Sequence, residues 1–128
     1  MHKDFDTWNN RKKDIQTSEF VAYVHEREIW WCSLGINIGY EQDGKNDLFE
    51  RPVLILKKFN RSVVMVVPLT SKVKEDKFHY IFEHDGKQFA VILSQLRLIS
   101  TKRLTRKIRK INEDLFEDIK LKTREVCL

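Results

Sequence analysis

The strongest pattern along the chain is a pair of almost unbroken apolar runs, PVLILKKF from residue 52 and SVVMVV from residue 62, on either side of Asn60-Arg61. β-Branched runs joined by a polar dipeptide predict a β-hairpin. Upstream, REIWWCSLG over 27–35 is β-prone and ends at a glycine. Downstream, KFHYIFE and KQFAVIL are separated by HDG, a turn signal, and SQLRLIS adds one more short strand. Six or so closely spaced short strands predict a small β-barrel or sandwich. The ends of the chain read differently. Phe5, Trp8 and Ile15 recur at roughly helical spacing, a thin stripe because Lys12 takes the i+4 place after Trp8. At the other end Asn112 is placed to cap a helix that carries Glu113 and Asp114 in its first turn. Leu115, Ile119, Lys122 and Val126 share one face of that helix and Phe116 broadens it. The expected organisation is a helical extension over 1–25 and one mainly β (α+β) domain over 26–128 with a C-terminal helix.

A two-residue turn at Asn60-Arg61 makes the numbers of cross-strand partners sum to a constant. Phe59 then faces Ser62, Leu56 faces Met65, and Arg51 faces Thr70. A three-residue loop with a bulge shifts every pair by one. In the simple register a guanidinium and a hydroxyl emerge side by side at the open end. The segment GINIGYEQDGKNDLFE, with three of the chain's four glycines, enters the hairpin there and reads as a long loop able to fold over that end. A cation, a hydroxyl and a lid make an anion site, since the arginine fork donates two parallel hydrogen bonds to phosphate. An arginine that merely opens a strand and a threonine that caps a turn would look the same, and geometry alone leaves both readings open.

Composition narrows the setting. Apolar residues make up 41% of 128, enough for a packed core and against global disorder. The formal charge of +5 and sequence pI of about 9.2 favour a polyanionic partner. Cys32 and Cys127 are far apart and lack metal-ligand spacing, which fits a reducing cytoplasm and excludes a disulfide framework. The N-terminus is charged and has no apolar signal region, and no apolar run is long enough for a membrane span. A soluble cytoplasmic protein, with no membrane contact, is expected.

Four segments occur in order: GYEQDG, RPVLIL, VVPLTS, and ILSQLRLIS followed by KRL. Together they resemble the MazF/PemK toxins of bacterial toxin–antitoxin modules, which carry G-x-E-Q-x-G-x-R-P, P-x-T-S and Q-x-R-x-I-x-x-x-R-L. The resemblance covers about Arg27 to Ile111. It implies an SH3-like β-barrel with a C-terminal helix, acting as a homodimer. It also implies a cofactor-free, metal-independent endoribonuclease that cuts single-stranded RNA at short sequences by attack of the 2′-hydroxyl, leaving 2′,3′-cyclic phosphate and 5′-hydroxyl ends. A cognate antitoxin blocks such a toxin. On this resemblance Arg51 and Thr70 are the catalytic pair, with Arg51 holding the scissile phosphate. Glu41 and Ser71 are candidate helpers, Gln42 lies in the E-Q motif, and Gln95 matches the family glutamine.

The chain also departs from the pattern. PemK-type members carry a His before the E-Q pair and an Arg-x-Asp before the later Gln, where this chain has Tyr40, Ile92 and Ser94. That acid–base set does not transfer. The insertion KNDLFE lengthens the loop before Arg51. His84 reads as a solvated turn residue, and Arg103 as a structural one. From Arg97 to Lys110 the chain holds seven cations and no acid, the footprint of an RNA track in which Arg97, Lys102, Arg106 and Lys107 contact phosphates. Trp30 and Trp31 point to opposite faces of a strand, one into the core and the other toward a base or a dimer interface. The competing class is a degenerate toxin, or one like the gyrase poison CcdB, that shares the barrel but only grips RNA or protein.

Overall fold

The computed structural model describes residues 3–17, 22–35, 44 and 50–128. The order is α1 (Phe5–Thr17), β1 (Glu28–Ser33), β2 (Glu50–Lys58), β3 (Val63–Thr70), β4 (His79–His84), β5 (Lys87–Ile92), β6 (Arg97–Ser100), β7 (Leu104–Lys110) and α2 (Glu113–Cys127). The antiparallel sheet runs β4-β5-β3-β2-β1-β7, and β6 pairs with the first half of β3. Its two ends approach one another, since His84 and Phe89 of the β4–β5 hairpin line the same cavity as Ile108 and Arg109 of β7. The sheet is therefore curled into a barrel-like form, although the described strands do not close the ring. None of the described helices is long and apolar enough to cross a membrane.

The unbroken apolar runs are explained by two cores, one on each face of β1–β3. Trp30, Cys32, Val53, Ile55, Val64 and Val66 pack on one side with Ile99 and Leu104. Ile29, Leu54, Leu56, Val67 and Leu69 pack on the other with Val91 and the α2 residues Phe116 and Ile119. A ribbon buried on both faces has no polar alternation to show. Asn112 caps α2, its Oδ1 accepting from Leu115 N–H at 2.8 Å, as expected. The buried face runs Phe116, Ile119 and Thr123, so Lys122 lies beside it rather than on it. The Tyr80 hydroxyl of β4 donates to Asp118 and ties the helix to the sheet.

The hairpin register is a partial correction. Val53, Leu54 and Ile55 face Pro68, Val67 and Val66, as a two-residue turn requires. Nearer the turn the register slips, and Met65 faces Lys57 rather than Leu56, while Val64 faces Lys58. The cause is local. Asn60 Oδ1 accepts from both Ser62 N–H (2.8 Å) and Val63 N–H (2.9 Å), and Phe59 N–H bonds to Val63 O rather than to Ser62. This side-chain turn takes an extra residue, and a bulge at Leu56 absorbs it. The open end keeps its register.

β7 is a seventh strand in the run read only as basic. Two of its four cations are held by carboxylates buried in the sheet. Lys107 pairs with Glu28 at 2.9 Å, and Arg106 pairs with Glu50 at 3.3 Å.

Candidate active site

Arg51 is the second residue of β2 and lies opposite Cys32 of β1. Its side chain is only 8% exposed, and Nη1 donates to the Leu69 carbonyl at 3.3 Å. That bond aims the guanidinium toward the end of β3. Val53 and Pro68 are the last ladder pair toward this end, with Arg51 two residues beyond on β2 and Thr70 two residues beyond on β3. Thr70 is half-buried, and its Oγ1 accepts from Lys72 N–H at 3.1 Å. So the threonine does cap the turn, and its own O–H keeps a proton to donate. Ser71 follows, exposed. All three line one cavity of about 710 Å³ whose walls are otherwise mostly apolar, with Ile29, Trp31 and Pro52 prominent.

Three further polar residues on that cavity are not apparent from the sequence. Glu50 is 1% exposed, accepts from the Thr105 hydroxyl and pairs with Arg106, so its charge is already answered within the sheet. Arg109 reaches the rim from β7. Burial holds its guanidinium below the ordinary arginine value, and the Asp85 carboxylate works against that shift from across the opening. His84 lines the cavity from the tip of the β4–β5 hairpin, with Nε2 at 3.0 Å from Asp85 Oδ2. The tip is tight: Asp85 (φ 51°) and Gly86 (φ 76°) both adopt positive φ, the mirror-image turn that matches strand twist. His84 is therefore a cavity residue, not simply a solvated one. HDG marks the turn in the sequence, but what the turn faces depends on the curl of the sheet.

Arg51, Thr70 and Ser71 are thus brought together. Glu41 and Gln42 lie outside the described residues, as do Tyr40 and most of the loop. Gln95 sits half-buried in a 3-10 turn, Leu93–Gln95, and does not line the cavity. Arg97 lies on β6 opposite Val66. Lys102 is in a second 3-10 turn, Thr101–Arg103, and donates to Gln16 O of α1 at 3.0 Å. Arg106 lies over the Trp31 ring at 4.8 Å while pairing with Glu50, and Lys107 is tied to Glu28. Trp30 is core, and Trp31 is half-buried in the cavity wall.

The curled antiparallel sheet, with an arginine and two hydroxyls at one cavity, defines a small-barrel protein with a candidate site at that cavity. The chain belongs to the family described as PemK-like, MazF-like toxin of type II toxin–antitoxin system, whose pattern matches residues 25–127. The MazF of Deinococcus radiodurans superposes with a TM-score of 0.68 at 19% identity, covering 84% of this chain and 97% of that one. Mycobacterium tuberculosis toxin MazF-mt6 gives 0.59 at 18% identity, covering 77% and 94%. An endoribonuclease in complex with its cognate antitoxin, from a mycobacterial species, gives 0.58 at 13% identity, covering 80% and 93%. At these identities the likeness is one of fold. No curated protein matches the chain.

Proposed function

We propose that this protein is a toxin endoribonuclease that cuts single-stranded RNA without a metal ion and is neutralised by a cognate antitoxin. In this reading it works in the cytoplasm as a homodimer. The observation that carries the proposal is the meeting of Arg51, Thr70 and Ser71 at one cavity in a chain of the PemK-like, MazF-like family.

The chemistry follows from these side chains. The substrate 2′-oxygen attacks phosphorus, and the bond from phosphorus to the 5′-oxygen breaks. Arg51 holds the non-bridging oxygens and offsets the charge that builds on them, a task that a preorganised, desolvated cation performs well. Thr70 donates its O–H to a phosphate oxygen or orients the attacking hydroxyl, and Ser71 supplies a second hydroxyl. The 2′-hydroxyl proton must go to a base, and a proton must reach the leaving 5′-oxygen. Guanidiniums stay protonated and serve poorly as bases. Glu50 is enclosed by Thr105 and Arg106. Among the described cavity residues this leaves His84, whose imidazole has a nitrogen to accept or donate a proton, and Glu41 is the alternative from the loop. The Trp31 ring and the apolar walls offer a surface for bases. The same walls favour a second reading, in which the cavity grips RNA or a protein segment without cutting.

The test is incubation of purified protein with long single-stranded RNA in EDTA, with 5′ ends mapped, beside Arg51→Ala and Thr70→Ala. Discrete cuts at a short repeated sequence, lost in both variants, are expected. Intact RNA from folded protein would move the assignment to the binding reading.

A further inference from the structure

The family match begins at residue 25, so α1 is an addition to the shared barrel. Its docking is specific although it buries a single side chain. Trp8 stacks on Gly35 so closely that a Cβ there would sit 1.9 Å from the indole. The Arg103 guanidinium lies 5.7 Å from the centre of the same ring, and Lys102 Nζ bonds to Gln16 O at the helix end. Between α1 and the Thr101–Arg103 turn these contacts hold open a groove of about 430 Å³.

Lys12, Lys13, Lys102 and Arg103 line that groove, with hydroxyls from Thr17 and Ser100 and no carboxylate. None of the four cations has an acidic partner among the described residues. Burial holds Arg103 below the ordinary arginine value, and the neighbouring Arg97 pushes the same way. Cations crowded without a counter-charge favour an anion between them. The groove shares no lining residue with the site cavity but is tied to it through β1. Arg103 Nη1 donates to the Ser33 carbonyl at 3.3 Å, and Ser33 faces Glu50, the residue before Arg51. Its one apolar lining residue is Ile15, which gives a peptide little to anchor on.

We propose that α1 and the Thr101–Arg103 turn form a phosphodiester-binding groove that holds the RNA strand beyond the point of cutting. The inference rests on the ribonuclease reading and deepens it: the extension lengthens the substrate path of this chain.

The test uses the full chain and its Lys12→Gln/Lys13→Gln double variant, with equal melting curves as the check on folding. Binding is measured by anisotropy on a long 2′-O-methyl oligonucleotide, which cannot be cut, and cleavage on a long RNA and on a minimal RNA that spans only the cut site. Each lost single-strand phosphate contact removes about 0.7 from the slope of log affinity against log salt. Two lost contacts lower the slope by about 1.4, so the gap between wild type and variant closes roughly sevenfold from about 50 to 200 mM salt. Cleavage efficiency is expected to fall on the long RNA and hold on the minimal one. Unchanged slope and unchanged long-RNA cleavage would overturn the inference and leave the ribonuclease reading standing. An unchanged RNA slope with weakened binding of a polyglutamate peptide would also overturn it and assign the groove to an acidic peptide. Wild-type protein that binds no RNA would remove both.

Discussion

Gly35→Ala tests how α1 is held. Gly35 has φ +79°, a conformation that L-residues resist by about 1–2 kcal/mol. The larger effect is steric. The new Cβ would lie 1.9, 2.1 and 2.5 Å from Cε2, Cζ2 and Cδ2 of Trp8, all atoms of a rigid fused ring, so the ring must leave. Trp8 is 3% exposed and is the one buried side chain of α1. Losing a buried Trp from its site costs about 3–5 kcal/mol. The helix should therefore undock, with a total loss of about 4–7 kcal/mol as an upper bound, since that loss cannot exceed the docking free energy of the helix. Urea unfolding of the wild type, both single variants and the Gly35→Ala/Trp8→Ala double variant makes a complete cycle. With Trp8 already truncated, Gly35→Ala should cost only the backbone strain of about 1–2 kcal/mol. Limited trypsin digestion should show early cleavage at Arg11, Lys12 and Lys13 in either single variant. Equal cost of Gly35→Ala in both backgrounds would refute the stacking and, with it, the account of how the basic groove is held open.

Arg51→Lys keeps the charge but loses the fork, so cleavage should fall by about 10²-fold or more with little change in melting temperature, and undiminished cutting would remove the bidentate role. His84→Gln should lower kcat by about 10²-fold, whereas undiminished kcat would clear His84 of proton transfer. Burial alone would raise the Glu28 carboxyl, but hydrogen bonds from Lys107, the Trp30 indole and the His25 amide outweigh it and hold the group below its ordinary value of 4.5. An unfolded carboxyl then takes its proton before the folded one does, so the stabilisation is complete above pH 4.5 and drains away as pH falls through the folded value. Glu28→Gln should accordingly flatten stability against pH below 4.5, read from urea midpoints at a series of pH values. Burial pushes the Cys32 thiol up to about 12, while Cys127 is half-exposed, so iodoacetamide should label the native chain at Cys127 alone and the unfolded chain at both, as mass spectrometry would show.

What the sequence disclosed and what it hid have separate physical origins. The central hairpin, β4, β5 and both helices were legible because their apolar residues recur with the period of the element that buries them. β7 was not, because LTRKIRK contains only Leu104 and Ile108 to pack, and its cohesion lies elsewhere. It is joined to β1 by its backbone ladder and to the sheet by Glu28 and Glu50, carboxylates buried at 5% and 1% exposure. No local pattern announces that two acids far upstream will pair with two cations of a basic strand. The bulge at Leu56 was equally hidden, since it depends on the Asn60 side chain taking both Ser62 and Val63 amides.

The site divides along the same line. Arg51 and Thr70 could be paired from the sequence because hairpin register at the open end survives the slip near the turn, the bulge lying between Ile55 and Lys57 and leaving Val53 opposite Pro68. His84 and Arg109 could not, because they enter the cavity from opposite ends of the strand order and meet only when the sheet curls. The basic run from Arg97 to Lys110 likewise separates once folded. Arg106 and Lys107 are spent on buried carboxylates, whereas Lys102 and Arg103 join Lys12 and Lys13 of the added helix. Charge density in a sequence thus overstates the surface available to RNA. Within this run Lys102 and Arg103 keep no carboxylate partner among the described residues, and they meet Lys12 and Lys13 where α1 joins the barrel, so that junction is where the run is placed to meet phosphate.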